Sequence, residues 1–230
     1  MGRKNKLKKF AEIRTFDNVY ENYNYEDDFL IGPQEDEYRL AGKWRQQHFK
    51  NDKPIVLELA CGGGEYTLSL AERYKKKNHI GVDIKGARIW KGARKALAAG
   101  LDNVVFLRCK IEKINTFFTA NEVDEIWITF PDPFLKDSKE NRRLTAPSFL
   151  DRYKSILKPD GCVHLKTDSQ PLYEFTLETL SQRPDIEITE DHNDIYSQAL
   201  PHHDLDIKTY YEQKHLKAGL TIKYIQFRYR

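Results

Sequence analysis

The chain has 230 residues, 32% of them charged and 40% hydrophobic, with a net charge of only +3 and a mean hydropathy of −0.72. This is enough apolar sequence for the core of one large α/β domain, and the balance is that of a soluble protein. No apolar run approaches the roughly 18 to 20 residues of a membrane span, the basic start leads into no signal-peptide stretch, and three cysteines at 61, 109 and 162 without C-x-x-C spacing suit a reducing cytoplasm rather than a disulfide framework or zinc site.

Charge is distributed unevenly. Residues 1–10 carry five Lys or Arg and no acid, residues 21–40 carry seven acids against Arg39, and residues 213–230 carry five Lys or Arg, no Asp or Glu, and Tyr224, Phe227 and Tyr229 among them. Both basic ends suit contact with phosphates, or are simply solvated ends. Residues 1–30, polar and rich in Tyr and Asn, predict a flexible extension, with the domain proper over 31–230. Glu35 to Phe49 places Tyr38, Leu40, Ala41, Trp44 and Phe49 at rough helical spacing and predicts a helix. Strands and helices then alternate. Strands are expected over 55–59, 79–84, 103–108, 123–130, 161–167, 186–190 and 220–229, and helices over 65–75, 86–98, 112–119, 147–157, 170–182 and 208–217. This order demands right-handed crossovers and a mostly parallel seven-stranded sheet with helices on both faces, its last strand antiparallel.

The first of these strands runs directly into Ala60-Cys61-Gly62-Gly63-Gly64, where glycines let the backbone turn sharply and approach a ligand. Asp83 ends the second strand about 20 residues later, where a carboxylate accepts from ribose hydroxyls. The dinucleotide fingerprint would need a third glycine at position 67, which is Thr67. A cofactor with a ribose but no phosphate fits this better, and S-adenosylmethionine is such a cofactor. Glu58 either faces its positively charged methionine end or holds turn amides. The predicted fold is thus Rossmann-like, that of a class I methyltransferase.

A later strand runs into Thr129-Phe130-Pro131-Asp132-Pro133-Phe134. Prolines on both sides restrict the backbone and fix where the Asp132 carboxylate points, which suits holding a flat base in line with a methyl group. Lys136, Lys139, Arg142 and Arg143 follow and suit RNA phosphates. Asp168 ends the next strand on the same edge; it either touches the acceptor or caps the following helix. Adjacent His202 and His203 would point opposite ways in an extended segment, so no metal is expected.

Phe130-Pro131-Asp132-Pro133-Phe134-Leu135-Lys136, Asn141-Arg142-Arg143-Leu144, Thr167-Asp168 and Thr209-Tyr210-Tyr211-Glu212 together resemble the tRNA (guanine-N7)-methyltransferases that modify the tRNA variable loop. The resemblance runs from about residue 54 to the last residue, and residues 1–53 match only loosely. It implies that Glu58, Gly62, Gly64 and Asp83 bind S-adenosylmethionine, and that Asp132 is both cofactor-adjacent and catalytic. It implies substrate contacts for Lys136, Asp168, Thr209, Tyr210, Tyr211 and Glu212, with tRNA as the partner. Lys110 and Ile111 fall against adenine, but Lys110 stands where the family usually has Asp or Asn. Backbone groups or Glu112 are the alternatives for holding that base. Phe134 stands where the family usually has Trp. Other readings are a methyltransferase for another nucleobase or amine, and an RNA-binding module with a decayed cofactor site. A cytoplasmic monomer is expected, with edge-strand pairing into a homodimer as the alternative.

Overall fold

A computed structural model of the protein describes residues 3–230, with side chains from Leu7 onward. The expectation for the basic start lies outside the described residues at Met1 and Gly2, and for the side chains of residues 3–6. In chain order the elements are α1 (Arg3–Ile13), β1 (Val19–Glu21), β2 (Leu30–Ile31), β3 (Glu37–Tyr38), β4 (Ile55–Leu59), α2 (Glu65–Arg73), β5 (Asn78–Asp83), α3 (Gly86–Ala98), β6 (Val104–Arg108), α4 (Ile114–Phe117), β7 (Val123–Thr129), α5 (Pro147–Ile156), β8 (Leu157–Thr167), α6 (Gln170–Ser181), β9 (Ile186–His192), α7 (Tyr210–Lys217) and β10 (Lys223–Tyr229).

One sheet runs in the order β3-β2-β1-β6-β5-β4-β7-β8-β10-β9. The stretch from β6 to β8 is parallel, and β10 enters antiparallel between β8 and β9, as expected. The count differs: ten strands rather than seven. The three additional strands come from residues 19–38, where pairs and triplets such as Leu30-Ile31 are too short to carry a readable alternation. β1 adds in parallel to β6, pairing Val19 with Phe106 and Glu21 with Arg108, and the Arg108 guanidinium closes a 2.8 Å ion pair on Glu21. The expected helix over Glu35 to Phe49 is also corrected. Gln34 and Glu35 have positive φ, and Gly42 (φ 73°) breaks the run. Only Trp44 to Phe49 turns, as a single π-helical segment. Trp44 is still core: its indole donates to the Phe117 carbonyl at 2.8 Å and stacks on Phe118.

Chain order puts β5 and β6 on one side of β4, and β7 and β8 on the other. A crevice therefore opens above the carboxyl ends of β4 and β7, where an open α/β sheet binds its ligand. The apolar runs of β4, β5 and β7 are buried on both faces, as parallel strands covered by helices must be. The floor beneath is set by a close approach. A Cβ on Gly64, Gly81 or Gly92 would lie 2.5, 2.8 or 2.7 Å from the Phe106 ring, so these glycines form the socket for that ring. Among the described residues, no helix is long and apolar enough to cross a membrane.

Candidate active site at the carboxyl edge of the sheet

At the end of β4 the chain reverses through Ala60 (φ 58°) and Gly62 (φ 57°), and Cys61 N–H donates to the Val82 carbonyl at 3.0 Å. An added Cβ on Gly62 would meet nothing within 4 Å, because that position faces the open crevice. Gly64 differs. It also has positive φ, but it faces the Phe106 ring rather than a ligand. Asp83 joins the two turns. One carboxylate oxygen accepts Gly62 N–H at 2.9 Å, and the other accepts Lys85 N–H at 2.7 Å. Although only 5% exposed, Asp83 still lines the crevice.

Glu58 lies deeper. One oxygen accepts both the Thr67 amide, at 2.8 Å, and the Thr67 hydroxyl, while the other accepts the Thr129 hydroxyl at 2.7 Å. Burial pushes its carboxyl up to about 7, against the opposing pull of the two threonines. Glu58 thus fastens the first turn of α2 to β4 and β7 from the bottom of the crevice.

The crevice has two adjoining cavities of about 300 and 470 Å³ that share Ala60, Arg88 and Phe130. The smaller is lined by Asp83, Ile84, Cys109, Lys110 and Ile111, an acid beside apolar surface suited to a ribose and a flat base. The larger is lined by the glycine turn, Glu58 and Thr129. A bent ligand with a nucleoside arm and an amino-acid arm, such as S-adenosylmethionine, fits this pair, and the open face of Gly62 leaves room where they meet. Lys110, at the wall of the smaller cavity, has its ammonium 3.7 Å from the centre of the Tyr25 ring.

The acceptor side is built on strained backbone. Phe130 (φ 49°) and Phe134 (φ 43°), both non-glycine residues in the left-handed region, bracket Pro131-Asp132-Pro133. Phe130 N–H is held by the Lys166 carbonyl at 2.8 Å. Arg143 holds the other end, donating to the carbonyls of Pro133 and Phe134 at 3.2 Å each and stacking on Phe175. Asp132 stands exposed on the smaller cavity between these anchors. Lys136, Lys139 and Arg142 are exposed beside it.

A sequence profile described as "Putative methyltransferase" matches residues 52–225. The chain is 48% identical over 234 residues to the tRNA (guanine-N(7)-)-methyltransferase of Christiangramia forsetii, covering 99% of each. It is 49% identical over 227 residues to that of Bacteroides thetaiotaomicron, covering 98% of this chain and 86% of the other. The chain belongs to the tRNA (guanine-N(7)-)-methyltransferase family. Among solved structures, the 16S rRNA methyltransferase KamB superposes with a TM-score of 0.62 at 14% identity, over 82% of this chain and 93% of that one. A SAM-dependent methyltransferase from Aquifex aeolicus gives 0.53 at 16% identity, over 76% and 82%. These two likenesses show the fold.

In this tRNA (guanine-N(7)-)-methyltransferase family member the motif residues divide by burial. Tyr210 and Tyr211, 65% and 50% exposed, line the larger cavity. Thr209 and Glu212 are buried, Thr209 at the wall of the same cavity. The Thr209 hydroxyl caps α7 by accepting Glu212 N–H at 3.2 Å, and Glu212 is fully buried against Lys166 at 2.8 Å and the Tyr196 hydroxyl at 2.6 Å. Arg143 is likewise buried, so its reach is to the acceptor loop rather than to a surface phosphate. Asp168 is not a helix cap, because Ser169 accepts Leu172 N–H in that role; its carboxylate instead lies 3.4 Å from His215. Sequence reasoning missed Lys166, the buried cation behind α7, because a lysine in a strand pattern gives no sign of its depth. It also missed Arg88. His202 and His203 do not point apart. The chain turns helical at His203, and the two rings stack 5.2 Å apart at 21°. With Asp204 they place ligand-type atoms within 4.8 Å of one another, but Asp204 already accepts Arg73 at 2.7 Å and Tyr74 at 2.9 Å.

Proposed function

We propose that this protein transfers a methyl group from S-adenosylmethionine to N7 of the variable-loop guanosine of tRNA, forming 7-methylguanosine in the cytoplasm. One observation carries the reading: in a chain of this family, an exposed carboxylate sits on a clamped, proline-bracketed loop at the mouth of a crevice shaped for a nucleoside and an amino-acid arm. The cofactor, when bound, supplies an electrophilic methyl group. Asp83 is suited to orient its ribose and the Gly62 turn to admit its amino-acid arm, while the hydrogen-bonded Glu58 keeps the turn rigid.

N7 of guanine has a free lone pair, so no residue need act as base. Asp132 instead accepts from N1–H and the exocyclic amine of the base and offsets the positive charge that grows on the ring. Proximity does much of the remainder, which is why the anchors on Phe130, Pro133 and Phe134 matter. Tyr210 and Tyr211 offer ring faces to the acceptor, while Lys136 and Arg142 meet phosphate. Thr209, Glu212 and Arg143 act as positioning residues for these. The test is methyl transfer from radiolabelled S-adenosylmethionine to unmodified tRNA, followed by nucleoside analysis. Label in 7-methylguanosine, lost when the variable-loop guanosine is replaced, is the expected result; label in another nucleoside would move the target.

A further inference from the structure

We infer that the crevice-facing side of α3, carrying Lys85, Arg88 and Lys91, is a second phosphate grip that seats the acceptor RNA from the side opposite Lys136 and Arg142. The inference rests on the proposed tRNA reading and adds a surface that its motifs do not include. Lys85, Arg88 and Lys91 follow one another at intervals of three, which brings them to one side of the helix start. All three line the crevice, and Arg88 lines both cavities, beside Ala60 and Phe130.

Several arginines elsewhere are matched by an acid, Arg45 by Asp124, Arg73 by Asp204, Arg108 by Glu21 and Arg183 by Asp185. Among the described residues Lys85 and Arg88 form no ion pair, and Lys91 reaches only Glu65, at 3.4 Å and largely in solvent. The first turn of α3 holds no acid. Like charges at this spacing repel one another, and cations at a helix start oppose its dipole, each costing a few tenths of a kcal/mol. An arrangement that disfavours the isolated helix is explained if an anion arrives. Nor is the helix free to turn the charges away. Ile89, Ala93 and Ala96 are buried beneath it, and the Trp90 indole donates to Glu12 of α1 at 3.0 Å.

The crevice between the two cationic banks holds Asp132, the group proposed to face the base. A polyanion threading between the banks would present its nucleoside there. The competing anion is the single carboxylate of the cofactor, and the test separates the two. Binding of an unmodified tRNA transcript and of S-adenosylhomocysteine is measured for wild type, Lys85→Gln, Arg88→Gln and, as a control, Lys154→Gln, whose lysine is paired with Asp185 far along the chain. Each α3 variant should weaken tRNA binding about three- to tenfold at low salt and reduce the slope of log Kd against log[salt] by about 0.7 to 0.9, leaving S-adenosylhomocysteine affinity unchanged. The control should do neither. Wild-type binding with unchanged slopes in the variants overturns the grip alone. Loss of S-adenosylhomocysteine affinity with tRNA binding intact reassigns Arg88 to the cofactor and also overturns it. If wild-type protein binds no tRNA, the functional reading falls together with the grip.

Discussion

A carboxylate on a clamped loop differs from one on a free loop in what a small substitution does to it. Asp132→Asn keeps shape and volume but replaces one acceptor oxygen by a donor, which would face the donor edge of guanine. Methyl transfer should fall on the order of 10²-fold or more, with S-adenosylhomocysteine affinity held close to wild type; near-normal turnover would remove Asp132 from its role. Arg143 acts on the same loop from behind. Arg143→Lys retains the charge but cannot span two carbonyls with a rigid fork, so turnover should drop while tRNA affinity stays near normal. A loss of RNA affinity alone would instead make Arg143 a phosphate ligand. Glu58 carries a pH signature. Its carboxyl titrates at about 7 in the folded chain against 4.5 unfolded, so folding favours the protonated form. Its contribution is therefore most favourable below about pH 4.5 and is lost as pH rises towards 7, by at most about 3 kcal/mol at 1.36 kcal/mol per unit. Denaturant unfolding of Glu58→Gln should show a flatter stability profile over that window; an unaltered profile would show that Glu58 does not titrate there.

At the scale of elements, α7 is tied to the sheet by a buried ion pair rather than by apolar packing alone. Lys166 and Glu212 are both fully buried, and Lys166 donates further to the carbonyls of Leu205 and Ile207 at 2.9 and 3.1 Å. Removing one partner strands the other, so Glu212→Leu should cost about 3 to 5 kcal/mol, whereas Lys166→Met with Glu212→Leu should recover much of it. Equal losses in the single and double variants would mean that the pair is not the fastening. The contrast with Tyr210 and Tyr211 explains what could be read in advance. Alternation of β4, α2, β5, α3 and β6 was legible because buried parallel strands leave apolar runs bounded by Gly, Pro and Asp. The acid at the end of β5 and the proline-bracketed acid after β7 were legible because strand ends fix their edge. Depth was not. Within Thr209-Tyr210-Tyr211-Glu212, the two tyrosines stand exposed at the crevice, Thr209 is buried at its wall and Glu212 lies in the core, and a four-residue motif carries no sign of which. Arg142 and Arg143 divide the same way, one over the Phe134 ring and one beneath the loop. The π-helical turn at Trp44 escaped because its aromatic spacing imitates a longer helix that Gly42 interrupts.

The whole molecule differs from a seven-stranded sheet by what residues 3–40 add. β1 covers the side of β6 that would otherwise be an open edge, and α1 lays Ile13 against Ile89 and Ala93 of α3, so this region is built into the domain. The edge moves out to β3, whose two residues are too few to template another chain. At the far side the edge is β9, Ile186-Glu187-Ile188-Thr189-Glu190-Asp191-His192, seven residues long but with three acids among them. Two copies pairing through β9 would bring these carboxylates close together, a like-charge cost that protects natural edge strands from association. The expected species in solution is therefore a monomer of 27.1 kDa, read by light scattering across micromolar concentrations. Replacing Glu187 and Glu190 by Val gives the same strand an apolar face without its repulsion, and that variant should self-associate as concentration rises. A wild-type protein already dimeric at low micromolar concentration would show that charge on β9 does not hold the copies apart.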